Sequence, residues 1–259
     1  MDTQIQTQIQ TQTPPQAFEA DASQRLLKLR YGIATPLPPD TIVARSLLRY
    51  GEWMEHELDL LGSFLGSDET VLEFGGEYAA HALWLARVVG DCGSVHIVEP
   101  RRLDLQKACA NLALNGVTNA YAHAAWLGRE GEAPARGREQ GDNRRSPTVS
   151  LDSLELDSLH LLKINLPGTL APVLQGADET LRRHRPVIYL RLGHDLEQAL
   201  QEVRALKECG YRCWSHLPYL FNPDNFAGSE DNLFPGQVQQ NLVAVPMESR
   251  LAFDRLREI

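Results

Sequence analysis

Long apolar runs are missing from this chain. None approaches the ~20 residues that a membrane-spanning helix needs, so no membrane span is expected. Cysteine is scarce as well. The four present, Cys92, Cys109, Cys209 and Cys213, form no Cys-x-x-Cys pair. No Cys/His cluster has the spacing of zinc ligands, which leaves free thiols and no metal site as the expectation. A dense basic block is also missing: 25 Lys and Arg face 34 Asp and Glu, a net charge of −9. Without clustered cations to displace counterions, nucleic acid is not an expected partner. The first residues lack the positive and apolar regions of a secretory signal, so a cytoplasmic protein is expected.

What is present begins with a Gln/Thr-rich tail over residues 1–22, whose Thr-Gln-Ile-Gln alternation buries too little apolar surface to fold alone. Residues 23–31 have helical character and lead into a turn at Pro36, Pro38 and Pro39. A better helix spans 52–65, where Trp53, Glu57, Leu60, Leu61 and Phe64 recur at spacings of three and four. Together these make an N-terminal helical flank over 23–66. A domain over 67–259 follows. Its short apolar strands, at 71–74, 95–98, 119–125, 159–164, 187–190, 211–214 and 242–245, alternate with helices at 79–89, 102–114, 169–183 and 196–209. Such alternation predicts βαβ units and an α/β fold with a doubly wound, mostly parallel sheet. The last two strands should add an antiparallel edge hairpin. Residues 129–147, rich in charge and nearly free of apolar side chains, read as a flexible insert.

Two stretches carry the functional signal. Residues 71–81 run Val-Leu-Glu-Phe-Gly-Gly-Glu-Tyr-Ala-Ala-His, and residues 95–100 run Val-His-Ile-Val-Glu-Pro. Each is an apolar strand that ends at an acid, with a small-residue turn and a helix between them. In an open parallel sheet this arrangement brings backbone close to a nucleoside at the turn and sets a carboxylate against its ribose. The dinucleotide fingerprint G-x-G-x-x-G is absent. The acid-x-Gly turn at Glu73-Phe74-Gly75, with Glu99 one strand and one helix later, suits S-adenosylmethionine better, because that ligand has no pyrophosphate to seat on a helix N-terminus.

From about residue 51 to 246 the chain resembles the FkbM-type S-adenosylmethionine-dependent methyltransferases. The matching stretches are Gly51-Glu52-Trp53 with Glu57, the turn from Glu73 to His81, Val98-Glu99-Pro100, and Asn111-Leu112-Ala113-Leu114-Asn115-Gly116. They continue with Leu151-Asp152-Ser153-Leu154, Leu162-Lys163-Ile164, Val173-Leu174-Gln175-Gly176-Ala177, and Phe221-Asn222-Pro223-Asp224-Asn225-Phe226. The resemblance implies a class I methyltransferase (Rossmann-like) fold, S-adenosylmethionine as cofactor, and oxygen methylation of a sugar or secondary metabolite, so a small-molecule or glycan acceptor. With that cofactor, Glu73, Gly75, Gly76 and Glu99 are expected to bind it, and Lys163, Asn165 and His81 are expected at the catalytic centre.

The chain departs from the family pattern at polar positions. Where the family has Asp-x-Gly-Ala-Asn-x-Gly, this chain has Glu73, Gly75, Gly76, Glu77 and Ala79; where the family has Lys-Ile-Asp-x-Glu-Gly, it has Lys163-Ile164-Asn165-Leu166-Pro167-Gly168; and Arg191 stands where strand five usually ends in an acid. Asn165 can orient a hydroxyl but cannot take its proton, which leaves His81, His194, His216 and Asp224 as candidate bases. These departures motivate an alternative: a catalytically silent methyltransferase-fold protein that binds a ligand or partner. Trp53 is expected to face the core and Glu57 to be solvated. The aromatic loop over 219–234 is long for a connection, and an acceptor-binding lid is expected there.

Overall fold

The protein is described here by a computed structural model covering residues 26–132 and 146–259. The expected tail over 1–22 and most of the expected insert lie outside the described residues. The flank differs from its expectation. Instead of a helix, Leu27–Leu29 (β1) and Gly32–Ala34 (β2) form an antiparallel hairpin. Its backbone is claimed by a distant helix: Asn115 Oδ1 accepts from Ile33 N at 2.9 Å, Asn115 Nδ2 donates to Ile33 O at 2.7 Å, and Asn111 Oδ1 accepts from Thr35 N at 2.7 Å. Tertiary bonding overrides a weak helical propensity. Two helices follow, Ile42–Tyr50 (α1) and Glu55–Gly62 (α2). Thr41 starts α1 by accepting from Ala44 N at 3.0 Å, and Gly51, in the left-handed conformation, ends it.

The central sheet is built from Thr70–Phe74 (β3), Ser94–Val98 (β4), Ala120–His123 (β5), Leu161–Ile164 (β8), Val187–Arg191 (β9), Tyr211–His216 (β10), Asn241–Pro246 (β11) and Arg257–Glu258 (β12). A small separate pair, Trp126–Leu127 (β6) with Thr148–Val149 (β7), brackets the insert. Across the main sheet the order is β12-β10-β11-β9-β8-β3-β4-β5. β5, β4, β3, β8 and β9 are parallel, and β11 enters antiparallel between β9 and β10. The expected closing hairpin is present, with β11 inside the sheet rather than at its rim. The crossovers carry Ala82–Val89 (α3), Arg102–Leu114 (α4), Leu170–Gln175 (α5), Asp178–His184 (α6) and Leu196–Glu208 (α7).

The expected single helix over 169–183 is two. The chain breaks at Gly176, where an added Cβ would lie 2.3 Å from Gly128 O, and Asp152 restarts it by accepting from Glu179 N and Thr180 N at 3.1 and 2.7 Å.

Side chains alternate across each strand. Leu72, Phe74, Val98, Leu162, Ile164, Ile188 and Leu190 fill one core. Val71, Val95, Ile97, Leu161 and Tyr189 face the other, under α1, α2 and α3. The same alternation has a chemical consequence. Glu73 pairs in register with Lys163, and Lys163 with Tyr189, so their side chains line up on this second face; Asn165 and Arg191 follow two positions on. A polar row therefore crosses the carboxyl ends of the parallel strands, on the face that α2 covers.

Candidate functional site

The site begins at the turn after β3. Gly75 has φ +91°, a conformation that favours glycine, and its N–H donates to Val98 O at 2.9 Å. Gly76 is required by packing, since a Cβ there would sit 2.5 Å from Ile97 Cγ2. The next three residues, Glu77, Tyr78 and Ala79, all have positive φ although none is glycine. Asn111 on α4 fixes this loop by donating to Tyr78 O at 2.8 Å. Ala79 stands where the family pattern has glycine, and its φ of +64° explains that preference.

Glu99 follows β4 and is fully buried. Its Oε2 accepts from Gly76 N at 2.9 Å and from Arg101 Nη2 at 3.0 Å; its Oε1 accepts from Arg101 N at 2.8 Å and Arg101 Nε at 2.9 Å. Glu73 and Glu99 thus lie at one edge of the sheet, with Gly75 between their strands. Arg101 was not anticipated from sequence. Its only signal there was its place two residues after the strand-ending acid.

Beneath the turn lies a cluster of buried charge. Lys163 Nζ stands 2.9 Å from Glu57 Oε1 and 3.0 Å from Glu73 Oε1, and also donates to Asn165 Oδ1. Glu57 is therefore not solvated; it is fully buried, and α2 exists in part to bring it over Lys163. Trp53 faces the core as expected, and its Nε1 donates to Glu77 Oε2 at 2.9 Å. Arg191 closes the arrangement with a bidentate pair to Glu77, Nη2 to Oε2 measuring 3.2 Å. Burial opposes every charge here, but the partners decide the outcome. The cations hold Glu57 below the usual carboxylate range and Glu77 down at about 2. Burial wins at Glu73, whose carboxyl is raised, while the surrounding carboxylates raise Lys163 and Arg191. Three carboxylates thus surround two cations, and Glu73 is the one of the three whose carboxyl is raised.

The sequence-selected catalytic residues are brought together, though inside the protein. Asn165 spends one amide proton on Glu73 Oε1 at 2.9 Å and the other on Gly75 O at 2.8 Å. Both donors being used, it props the glycine turn and has no proton left for an acceptor hydroxyl. His81 is 1% exposed; its Nε2 donates to Trp53 O at 2.8 Å, and its Nδ1 lies 3.6 Å from Glu57 Oε1. Burial and the nearby Lys163 ammonium push its pKa down to about 4, so it is neutral near pH 7 with Nδ1 unprotonated. Of the other candidate bases, His194 and Asp224 are exposed, and His216, the last residue of β10 and in register with Asn241, accepts from Tyr189 OH at 2.7 Å.

The aromatic loop is anchored to the flank. Glu52 accepts from Phe226 N at 2.6 Å, Asn222 Nδ2 at 2.9 Å and Arg30 Nε at 2.8 Å, and Tyr50 OH donates to Asp231 O at 2.9 Å. That gives the Gly51-Glu52-Trp53 motif a physical role: Glu52 ties hairpin, helix and loop together. Among the described residues no helix is long and apolar enough to cross a membrane.

Comparison with known proteins agrees with this geometry. The model of the FkbM methyltransferase domain matches residues 74–213, more than half of the chain. Among solved structures, the FkbM methyltransferase of Methylobacillus flagellatus KT is 15% identical, with a TM-score of 0.51 over 79% of this chain and 55% of that one. The precorrin-6y C5,15-methyltransferase of Geobacter metallireducens GS-15 is 16% identical, with a TM-score of 0.49 over 73% of this chain and 87% of the other. An S-adenosylmethionine-dependent O-methyltransferase of Thermotoga maritima is 14% identical, with a TM-score of 0.46 over 89% and 80%. No curated protein matches. With the family match, the strand order and the glycine turn beside Glu99 in agreement, the chain belongs to the FkbM methyltransferase family and has the class I methyltransferase fold.

Proposed function

We propose that this protein is an S-adenosylmethionine-dependent O-methyltransferase whose acceptor is a hydroxyl of a sugar or secondary metabolite. The observation that carries the cofactor part is the buried carboxylate of Glu99, two strands' edges meeting beside it and a side-chain-free Gly75 next to it. A carboxylate is acceptor-only, and a nucleoside's ribose offers hydroxyl donors, so the donor set fits this cofactor. Bound there, S-adenosylmethionine would supply an electrophilic methyl group on its sulfonium.

The chain's own contribution is alignment and shielding. Glu99 would hold the ribose, and Gly76 N–H holds Glu99. Asn165 fixes the Gly75 carbonyl, and Lys163 fixes Asn165 in turn. Pre-set geometry of this kind converts an encounter between two molecules into a positioned reaction. The acceptor's nature rests on the family alone.

A second reading is favoured by one observation. Lys163, Asn165 and His81 are all buried and already engaged with protein groups, as a catalytically silent, ligand-binding or partner-binding relative would have them. Titration calorimetry with S-adenosylmethionine decides first: micromolar binding is expected, and no heat at millimolar cofactor would refute the enzyme reading. Methyl release onto a panel of glycans and hydroxylated small molecules then separates the enzyme from the silent binder.

A further inference from the structure

Four donors surround the Glu99 carboxylate, which is as many as its lone pairs can serve. Two are backbone N–H groups, of Gly76 and Arg101, and cannot leave without unfolding the turn. The other two, Nε and Nη2, come from one edge of the Arg101 guanidinium, at 2.9 and 3.0 Å. The Arg101 side chain is 31% exposed, while Glu99 has no exposure, so the guanidinium caps the acid from the solvent side. Asp104, one turn into α4, stands 3.1 Å from the same Nε through Oδ2.

A ligand that reaches Glu99 must therefore replace two donors on one edge of a plane. A single hydroxyl leaves one buried carboxylate oxygen short of a partner, which is costly. A vicinal cis-diol presents two O–H donors on adjacent carbons and restores both bonds. The geometry points to Arg101 as a self-ligand: its guanidinium edge occupies, in the free protein, the place of a nucleoside 2′,3′-diol, and it swings aside as the diol binds. Asp104 retains the displaced arginine. The inference rests on the reading of Glu99 as the ribose-binding acid and adds to it a built-in competitor. Affinity is lowered by the fraction of protein in the closed form, and ligands without both hydroxyls are discriminated against.

The test compares wild type, Arg101→Gln and Arg101→Lys as full chains, by calorimetry with S-adenosylhomocysteine, adenosine and 2′,3′-dideoxyadenosine. Loss of the competitor should tighten S-adenosylhomocysteine and adenosine binding by roughly tenfold in Arg101→Gln. The gain should be smaller in Arg101→Lys, which keeps the charge but not the fork, and dideoxyadenosine should gain nothing. Thermal unfolding adds a readout independent of turnover: the free Arg101→Gln protein melts lower, and S-adenosylhomocysteine recovers more of its stability than it adds to wild type. If Arg101→Gln does not fold, the Arg101→Lys comparison decides. Wild-type binding with equal or weaker binding by the variants would overturn the competitor and leave the function standing. A gain shared by dideoxyadenosine would also overturn it. No binding of S-adenosylhomocysteine by any of the three at millimolar concentration would overturn both.

Discussion

Replacing Lys163 by Met keeps the length of the side chain and removes its charge, in a place with no exposure. Three contacts vanish together: Glu57 at 2.9 Å, Glu73 at 3.0 Å and Asn165. Glu57 suffers most, because Lys163 is the leading favourable influence that keeps it ionised. Removing one partner of a buried pair leaves an uncompensated charge and costs about 3–5 kcal/mol. For a chain of this size each kcal/mol lowers the melting temperature by roughly 2–4 °C, so a fall of roughly 6–20 °C is expected. Glu57→Gln should be destabilising too. In the Lys163→Met background, however, Glu57→Gln should recover stability, since it removes the stranded carboxylate. Urea unfolding at pH 7 of the four proteins measures the coupling, expected at about 0.5–3 kcal/mol. A Lys163→Met cost below about 1 kcal/mol, or strict additivity in the double variant, would refute the account of this cluster.

Ala79→Gly removes a Cβ from a left-handed position and should stabilise the fold by about 1 kcal/mol, less the entropy glycine adds to the unfolded chain; a lower urea midpoint would contradict this. Acid should act in two stages, because both groups concerned have depressed pKa values. His81, at about 4 against an ordinary 6.5, contributes stability that is full above pH 6.5 and lost as pH falls toward 4, since the unfolded chain takes up the proton first. Glu77, at about 2 against 4.5, contributes stability lost between pH 4.5 and 2. His81→Gln should flatten the first limb of urea-unfolding free energy against pH and Glu77→Gln the second, each by up to about 3 kcal/mol; unchanged limbs would show that other groups carry them. Glu99→Gln should weaken S-adenosylmethionine by roughly tenfold or more in calorimetry, and, because Gly76 N–H depends on this carboxylate, should also cost about 1–3 kcal/mol of stability. Asp152→Ala is the contrast: it strips the start of α6, costs about 1 kcal/mol, and leaves cofactor affinity unchanged.

Much of this molecule follows from local pattern alone. Apolar runs of strand length, alternating with helical periods, yield the parallel sheet, and the strand-ending Glu73 and Glu99 mark the edge where a nucleoside would sit. Period two continued over residues 161–165 and 187–191 already implies that Lys163 shares a face with Asn165, and Tyr189 with Arg191. The hairpin over 27–34 was not legible, because its bonds go to Asn111 and Asn115, more than 70 positions away. Nor was the burial of Glu57. A glutamate on a short helix reads as solvated until the sheet places Lys163 beneath it. Arg101 over Glu99 and Arg191 against Glu77 belong to the same class of fact. Periodicity is set by neighbours along the chain and is written in the sequence. The state of a charge is set by what lies within a few ångströms in space, and for these residues only the tertiary structure decides that.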